Sequence, residues 1–156
     1  AARYQPGAIC SARAPATTGM KPRWIQRHQR ALRSSVAMPA AAKLMAQHKM
    51  SAVMVVEGDV LIGIFTERDA VFRVIARGLD VQTTPLATVM TPSPQTIEPN
   101  RTFGQALLLM HENGFRHVPV VEGGKPVGLV TSRNALDPDM EEFVSEAQRR
   151  LHIDRE

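Results

Sequence analysis

At 156 residues the chain has the length of one domain, long enough to bury most of the surface that its unfolded form exposes. Its single cysteine, Cys10, excludes an internal disulfide framework and fits a reducing compartment, so a cytoplasmic location is expected, and the short apolar runs exclude a transmembrane helix. Charge is uneven: residues 1–56 hold nine Lys/Arg and no acid, whereas residues 57–156 hold ten Lys/Arg and all fifteen acids.

The acid-free start defines a basic arm over residues 1–29, broken at short intervals by Gly, Pro, Ser and Thr and therefore expected to be flexible. A solvated arm is the reading favoured over one that contacts nucleic acid or an anionic surface, and an Arg-rich, acid-free start also suits an organelle transit peptide. Ile25 to Leu32 leads into a first unit, residues 30–79. Met38, Ala41, Ala42 and Met45 fall at helical spacing. Ala52 to Val56 reads as a strand, Glu57-Gly58-Asp59 as a turn, and Leu61 to Phe65 as a returning strand. Thr66 then caps a helix that runs to Gly78.

A polar connection with Pro85 follows, Leu79 to Thr91, and leads to an extended stretch near Gln95-Thr96-Ile97 in a second unit, residues 80–136. Thr102-Phe103-Gly104-Gln105 matches a capping box, Phe103, Ala106, Leu107 and Met110 form an apolar stripe, and Gly114 is placed to end that helix. His117 to Val121 and Pro126 to Val130 make a second hairpin around Glu122-Gly123-Gly124-Lys125, and a new helix is expected after Thr131. Asp137-Pro138 opens a last helix, residues 137–156, with acids first and Arg149 and Arg150 last, as the helix dipole prefers.

The two units are copies. Shifted by 65, residues 41–70 match residues 106–135 without a gap, with twelve identities in thirty positions, among them Val53/Val118, Gly63/Gly128, Thr66/Thr131 and Arg68/Arg133. One unit used twice points to a pseudo-symmetric pair sharing a core, an α+β fold of two helix–hairpin–helix units that pack two small sheets together. A cleft between such halves is a favoured ligand site. The methionines at 45, 50, 54 and 110 read as core filler, and His28, His48, His111 and His152 show no metal-ligand spacing, so no metal site is expected.

Gly63-Ile64-Phe65-Thr66-Glu67-Arg68-Asp69 and Gly128-Leu129-Val130-Thr131-Ser132-Arg133-Asn134 resemble the signature of the CBS domain family, in the tandem arrangement called a Bateman module. Val89-Met90-Thr91-Pro92 and Arg116-His117-Val118-Pro119-Val120-Val121 support the resemblance, which covers about residues 30–136. In the first copy Ile25 to Leu32 stands in place of Met90 to Ile97.

The resemblance implies a regulatory module rather than an enzyme, with no required cofactor, that binds AMP, ADP or ATP between the repeats and passes occupancy on through a homodimer or an unidentified protein partner. It implies ligand contacts from Thr66, Arg68, Asp69, Arg116, His117, Pro119, Val120, Thr131 and Asn134. The Thr would meet phosphate and the Asp the ribose hydroxyls. Asn134 lacks the charge of its counterpart Asp69, and a charged hydrogen bond is worth ~1.5–3 kcal/mol against ~0.5–1.5 for a neutral one, so the second site is expected to be the weaker. Thr66 with Asp69 also fits a purely structural capping box. NAD(H) or S-adenosylmethionine in the same cleft, nucleic-acid binding by the arm, and a structural dimeriser with vestigial sites remain alternatives.

Overall fold

The computed structural model describes residues 9–10, 25 and 31–133. The expected helix after Thr131, Asn134 and the helix over 137–156 lie outside the described residues. The first half runs β1 (Ile9–Cys10), β2 (Ala31–Arg33), α1 (Met38–His48), β3 (Ala52–Glu57), β4 (Val60–Thr66) and α2 (Glu67–Asp69), which continues as a π-helical segment, Ala70–Ile75. The second half has α3 (Leu86–Val89), β5 (Thr91–Pro92), α4 (Phe103–Asn113), β6 (His117–Glu122) and β7 (Lys125–Thr131). Strands β1 to β5 form one sheet in chain order and β6 with β7 the other, which is the α+β arrangement of two small sheets read from the repeat.

The hairpins are equivalent residue for residue. Gly58 and Gly123 both hold φ near +57° (56° and 57°), the left-handed backbone that a tight turn needs and that glycine adopts without a Cβ clash. Both hairpins carry an irregularity at the same place, Val55/Val56 in one and Val120/Val121 in the other. Their turns meet across the pseudo-twofold axis: Leu61 N–H donates to Gly124 O at 3.1 Å, and Lys125 Nζ lies 3.0 Å from Asp59 Oδ2.

The opening segments of the repeats behave alike as well. Leu32 pairs in parallel with Val55, and Ile97, 65 residues on, forms a parallel bridge with Val120. Each opening segment also reaches into the other half. Met90 packs against the first core, around Leu44, Val53, Phe65 and Val74, and β5 pairs with Gly63 and Ile64 of β4. Ile25, the counterpart of Met90, is buried in the second core with Ile97, Phe103, Met110 and Val130. Of the arm, Ile9–Cys10 pairs with β2 and Ile25 is buried, and its other residues lie outside the described ones. A third cluster of Met54, Val56, Ile64 and Leu129 joins the sheets, so neither hairpin buries its apolar face alone.

Three local expectations need correction. Ala42 is exposed, and Leu44 takes its place in the core beside Met38, Ala41 and Met45. The helix rolls to bury the larger side chain, since burial stabilises in proportion to apolar area. The connection read as polar contains α3, whose Leu86 and Val89 are buried; four residues are too few to display a helical period. The helix after Thr66 widens into a π register, with Ala76 N–H donating to Val71 O at 2.8 Å. The capping box at Thr102, the end of α4 at Gly114 and the buried Phe103, Ala106 and Met110 stand as read, with Leu107 half-buried against them.

Candidate functional site

Where β4 passes into α2 the chain meets the second repeat, and a cleft of about 570 Å³ opens between them. Equivalent backbone bonds set both of its walls: Glu67 N–H donates to Ser51 O and Ser132 N–H donates to Arg116 O, each at 3.0 Å. Each hairpin's second strand thus leads directly into a helical turn facing the cleft. Thr66, Arg68, Asp69, Arg116, His117 and Thr131 all line this one cavity. Pro119 and Val120 do not. They are buried within β6, where Pro119 O accepts from Ile97 N–H at 3.0 Å and Val120 belongs to the second core. Strand alternation has little say here, because β6 is covered on both faces. Asn134 lies outside the described residues.

The Thr66–Asp69 pair is a complete capping box. Asp69 Oδ2 accepts from Thr66 N–H at 2.9 Å and from Thr66 Oγ1–H at 2.8 Å, while Thr66 Oγ1 accepts from Asp69 N–H at 3.2 Å. Asp69 is only 8% exposed, and its other oxygen, Oδ1, lies 3.2 Å from Arg73 Nε. Arg73 in turn donates from Nη1 to Met90 O at 2.7 Å and Val89 O at 3.3 Å, which ties the carboxylate to the opening of the second repeat. Arg73 escaped the sequence reading, although its place four residues after Asp69 on a helix is the spacing of an ion pair.

Ser51 was also missed as a site residue. Its hydroxyl lies 2.6 Å from His117 Nε2, a bond between the two repeats. The signal was available in the repeat itself, because Ser51 is the counterpart of Arg116 and the pseudo-twofold axis sets the two hairpin starts opposite each other. The cleft collects four arginines, Arg68, Arg73, Arg116 and Arg133, against the carboxylates of Glu67 and Asp69. Arg68 is stacked on Phe72, 5.4 Å from the ring centroid, and Phe72 itself lines the cavity. A much smaller hollow of about 60 Å³ adjoins it beside Lys49, Ser51, Thr131 and Arg133.

Burial lowers the His117 pKa from 6.5 to about 4; Arg116 and then Arg133 lower it further, and Asp69 opposes them. The unfolded chain therefore binds a proton at this ring through a window, pH 4 to 6.5, in which the folded chain does not. Stability is full above about pH 6.5 and falls as the pH drops toward 4, by about 3 kcal/mol if the whole shift is expressed. Urea unfolding at pH 7 and pH 4.5 should show this loss in the wild type and a clearly smaller one in His117→Gln. Equal losses would remove His117 as its source.

A model of the CBS domain family matches residues 32–76 and 86–140. The meiotically up-regulated gene 70 protein of Schizosaccharomyces pombe is 43% identical over 88 residues, 56% of this chain and 12% of that protein, so the chain spans a small part of this relative's length. A signal-transduction protein with CBS domains from Burkholderia ambifaria, described in its structure report as putative, superposes with a TM-score of 0.65 at 31% identity, covering 70% of this chain and 80% of that one. PAE2072 of Pyrobaculum aerophilum, a CBS domain protein complexed with AMP, shares the fold at a TM-score of 0.65 and 20% identity, over 74% of this chain and 90% of that one.

Proposed function

This chain belongs to the CBS domain family as a tandem pair, and from that premise we propose that it is a regulatory, non-catalytic module that binds an adenosine-containing nucleotide of the AMP, ADP or ATP type between its repeats. The observation that carries the reading is a single cleft where the buried carboxylate of Asp69 meets arginines from both repeats. The AMP complex of the P. aerophilum protein supports it at the level of the fold.

Asp69 would take the ribose. A carboxylate offers about four lone-pair directions, of which Thr66 N–H and Thr66 Oγ1–H use two at Oδ2, while Arg73 holds Oδ1 as an ion pair. A vicinal diol presents two donors, and a ligand that engages both oxygens competes with Thr66 Oγ1–H at Oδ2 and with Arg73 at Oδ1. The released Thr66 hydroxyl would then be free to donate to a phosphate, and Arg116, His117 and Arg133 would face the phosphate chain from the second repeat. Phe72 offers an aromatic face for the base. Thr131 with Asn134 would make a second, weaker half-site.

Displacing Arg73 also loosens its hold on Val89 O and Met90 O. The ligand would thereby favour one arrangement of the two repeats over another by its differential affinity. Output through a second copy is the simplest route, because Val71, Ile75 and Leu79 leave an apolar strip exposed by 49%, 62% and 40% next to the cleft. Ile75→Glu should lower the sedimenting mass if that strip is covered by a partner copy, and an unchanged mass would remove this surface from the dimer. NAD(H) and S-adenosylmethionine carry the same adenosine and remain within the reading.

A thermal-shift panel of AMP, ADP, ATP, NAD(H) and S-adenosylmethionine tests the proposal. At a hundredfold excess over its dissociation constant a ligand stabilises by about 2.7 kcal/mol, a shift of several degrees for a chain of this size. No shift with any of the five would refute the sensor reading.

A further inference from the structure

His117 stands where the two repeats meet, at the start of β6, with its Nε2 held 2.6 Å from the hydroxyl of Ser51 in the first repeat. It is half-buried and lines the same cavity as Thr66 and Asp69. The charges around it come from every element packed there. Arg116 immediately precedes β6, Arg133 follows β7, Glu67, Arg68 and Asp69 belong to α2 and Arg73 to the π-helical segment after it, while Lys49 just past α1 lines the adjoining hollow. Arg116 and Arg133 work against a proton on the ring, and the Asp69 carboxylate does not offset them.

Burial does most to keep the imidazole neutral and two neighbouring guanidinium groups add to it, a part that an anion entering between them would reverse. A phosphate chain there would neutralise Arg116 and Arg133 and place negative charge beside the ring, reversing two of the three causes that keep the proton off. Phosphate oxygens are acceptors, so the nearest ring nitrogen must carry hydrogen to bond one. A doubly protonated ring can donate to phosphate from one nitrogen and keep a partner at the other.

We infer that the cleft takes up its phosphate-bearing ligand together with one proton on His117, so that occupancy depends on pH as well as on nucleotide concentration. The inference rests on the nucleotide reading of the cleft and adds a second input to it. The Ser51–His117 bond between the repeats is then the contact that the ligand and proton together remodel.

The test is calorimetry of magnesium-free ATP in two buffers of different ionisation enthalpy, at pH 6 and pH 8, on the wild type and on His117→Gln, whose amide can still bond Ser51 but does not titrate. At pH 6 the wild type should take up more protons per ATP than the variant, approaching one, and the difference should vanish at pH 8. The ratio of wild-type to variant affinity should be about tenfold larger at pH 6, as one added proton per bound ligand requires over about one pH unit. The terminal phosphate of ATP titrates in the same range, but it does so in both proteins and cancels. Equal proton counts, with ATP bound by both, would overturn the inference and leave the nucleotide site standing. No ATP binding to the wild type would overturn both. Should the variant fail to fold, the ring protons of His117 in the wild type decide by NMR: titration near pH 4 without ATP and above pH 6 with it is the expected pair, and an unmoved midpoint is the contrary result.

Discussion

Asp69→Asn should leave the protein folded and weaken adenine-nucleotide binding by ten- to a hundredfold or more. The amide keeps one oxygen, enough to accept from Thr66 N–H and to retain much of the capping box, but it forfeits the charge that Arg73 and the ribose donors require. A hydrogen bond to a charged group is worth ~1.5–3 kcal/mol, which sets the loss in affinity, whereas a weakened cap costs ~0.5–2 kcal/mol of stability. The substitution also gives the first repeat the residue that the second carries at position 134. Calorimetric titration with the nucleotide that stabilises the wild type checks the first effect and urea unfolding the second. An affinity within twofold of wild type would assign Asp69 to the helix cap alone.

Gly63→Val should be among the most damaging single substitutions in the first repeat. Even a Cβ at this position would fall on Met90 Sδ and lie 3.0 and 3.1 Å from Met90 Cγ and Cε, so the middle of that side chain, not just its tip, crosses the glycine. Met90 belongs to the first core, and Gly63 pairs with Pro92 on the neighbouring strand. Valine must therefore evict Met90, with a loss of about 2–4 kcal/mol in the range of core overpacking combined with a vacated core site. The consequence reaches the cleft, because Thr91 and Ser93 line it immediately after Met90. Denaturant unfolding should show the stability loss, and nucleotide affinity should fall with it. A loss below 0.5 kcal/mol would mean that β5 does not hold this edge of the sheet.

Much of this architecture was legible in the chain because the sequence states it twice. An isolated Gly58 or Gly123 is a weak turn signal, but the two stand 65 residues apart between apolar runs, and the structure gives them nearly the same φ. Helix ends were legible where side chains do the capping, as with Thr66 and Thr102. The stripe of α1 was read one residue astray because Ala41 and Ala42 are equally apolar, and only the competition between Ala42 and Leu44 for burial decides which way the helix faces. The reach of Ile25 and Met90 into opposite cores was not legible, since periodicity within a segment carries no information about which sheet receives it.

The site was legible in its charged residues and not in its apolar ones. Thr66, Arg68, Asp69, Arg116, His117 and Thr131 converge on one cavity, while Pro119 and Val120 are taken by the core. Arg73 and Ser51 entered only through geometry. One reaches Asp69 along its own helix and the other meets His117 across the pseudo-twofold axis, a neighbourhood that sequence order separates by 66 positions.

The most direct test of the central claim is a ¹H–¹⁵N amide titration of the wild-type chain with ATP. Saturable shifts concentrated at 64–69, 91–95, 115–117 and 131–133 are the predicted result, because these segments wall the cleft. No saturable shift at millimolar ATP, or shifts confined to the basic residues of the arm, would contradict a nucleotide site between the repeats.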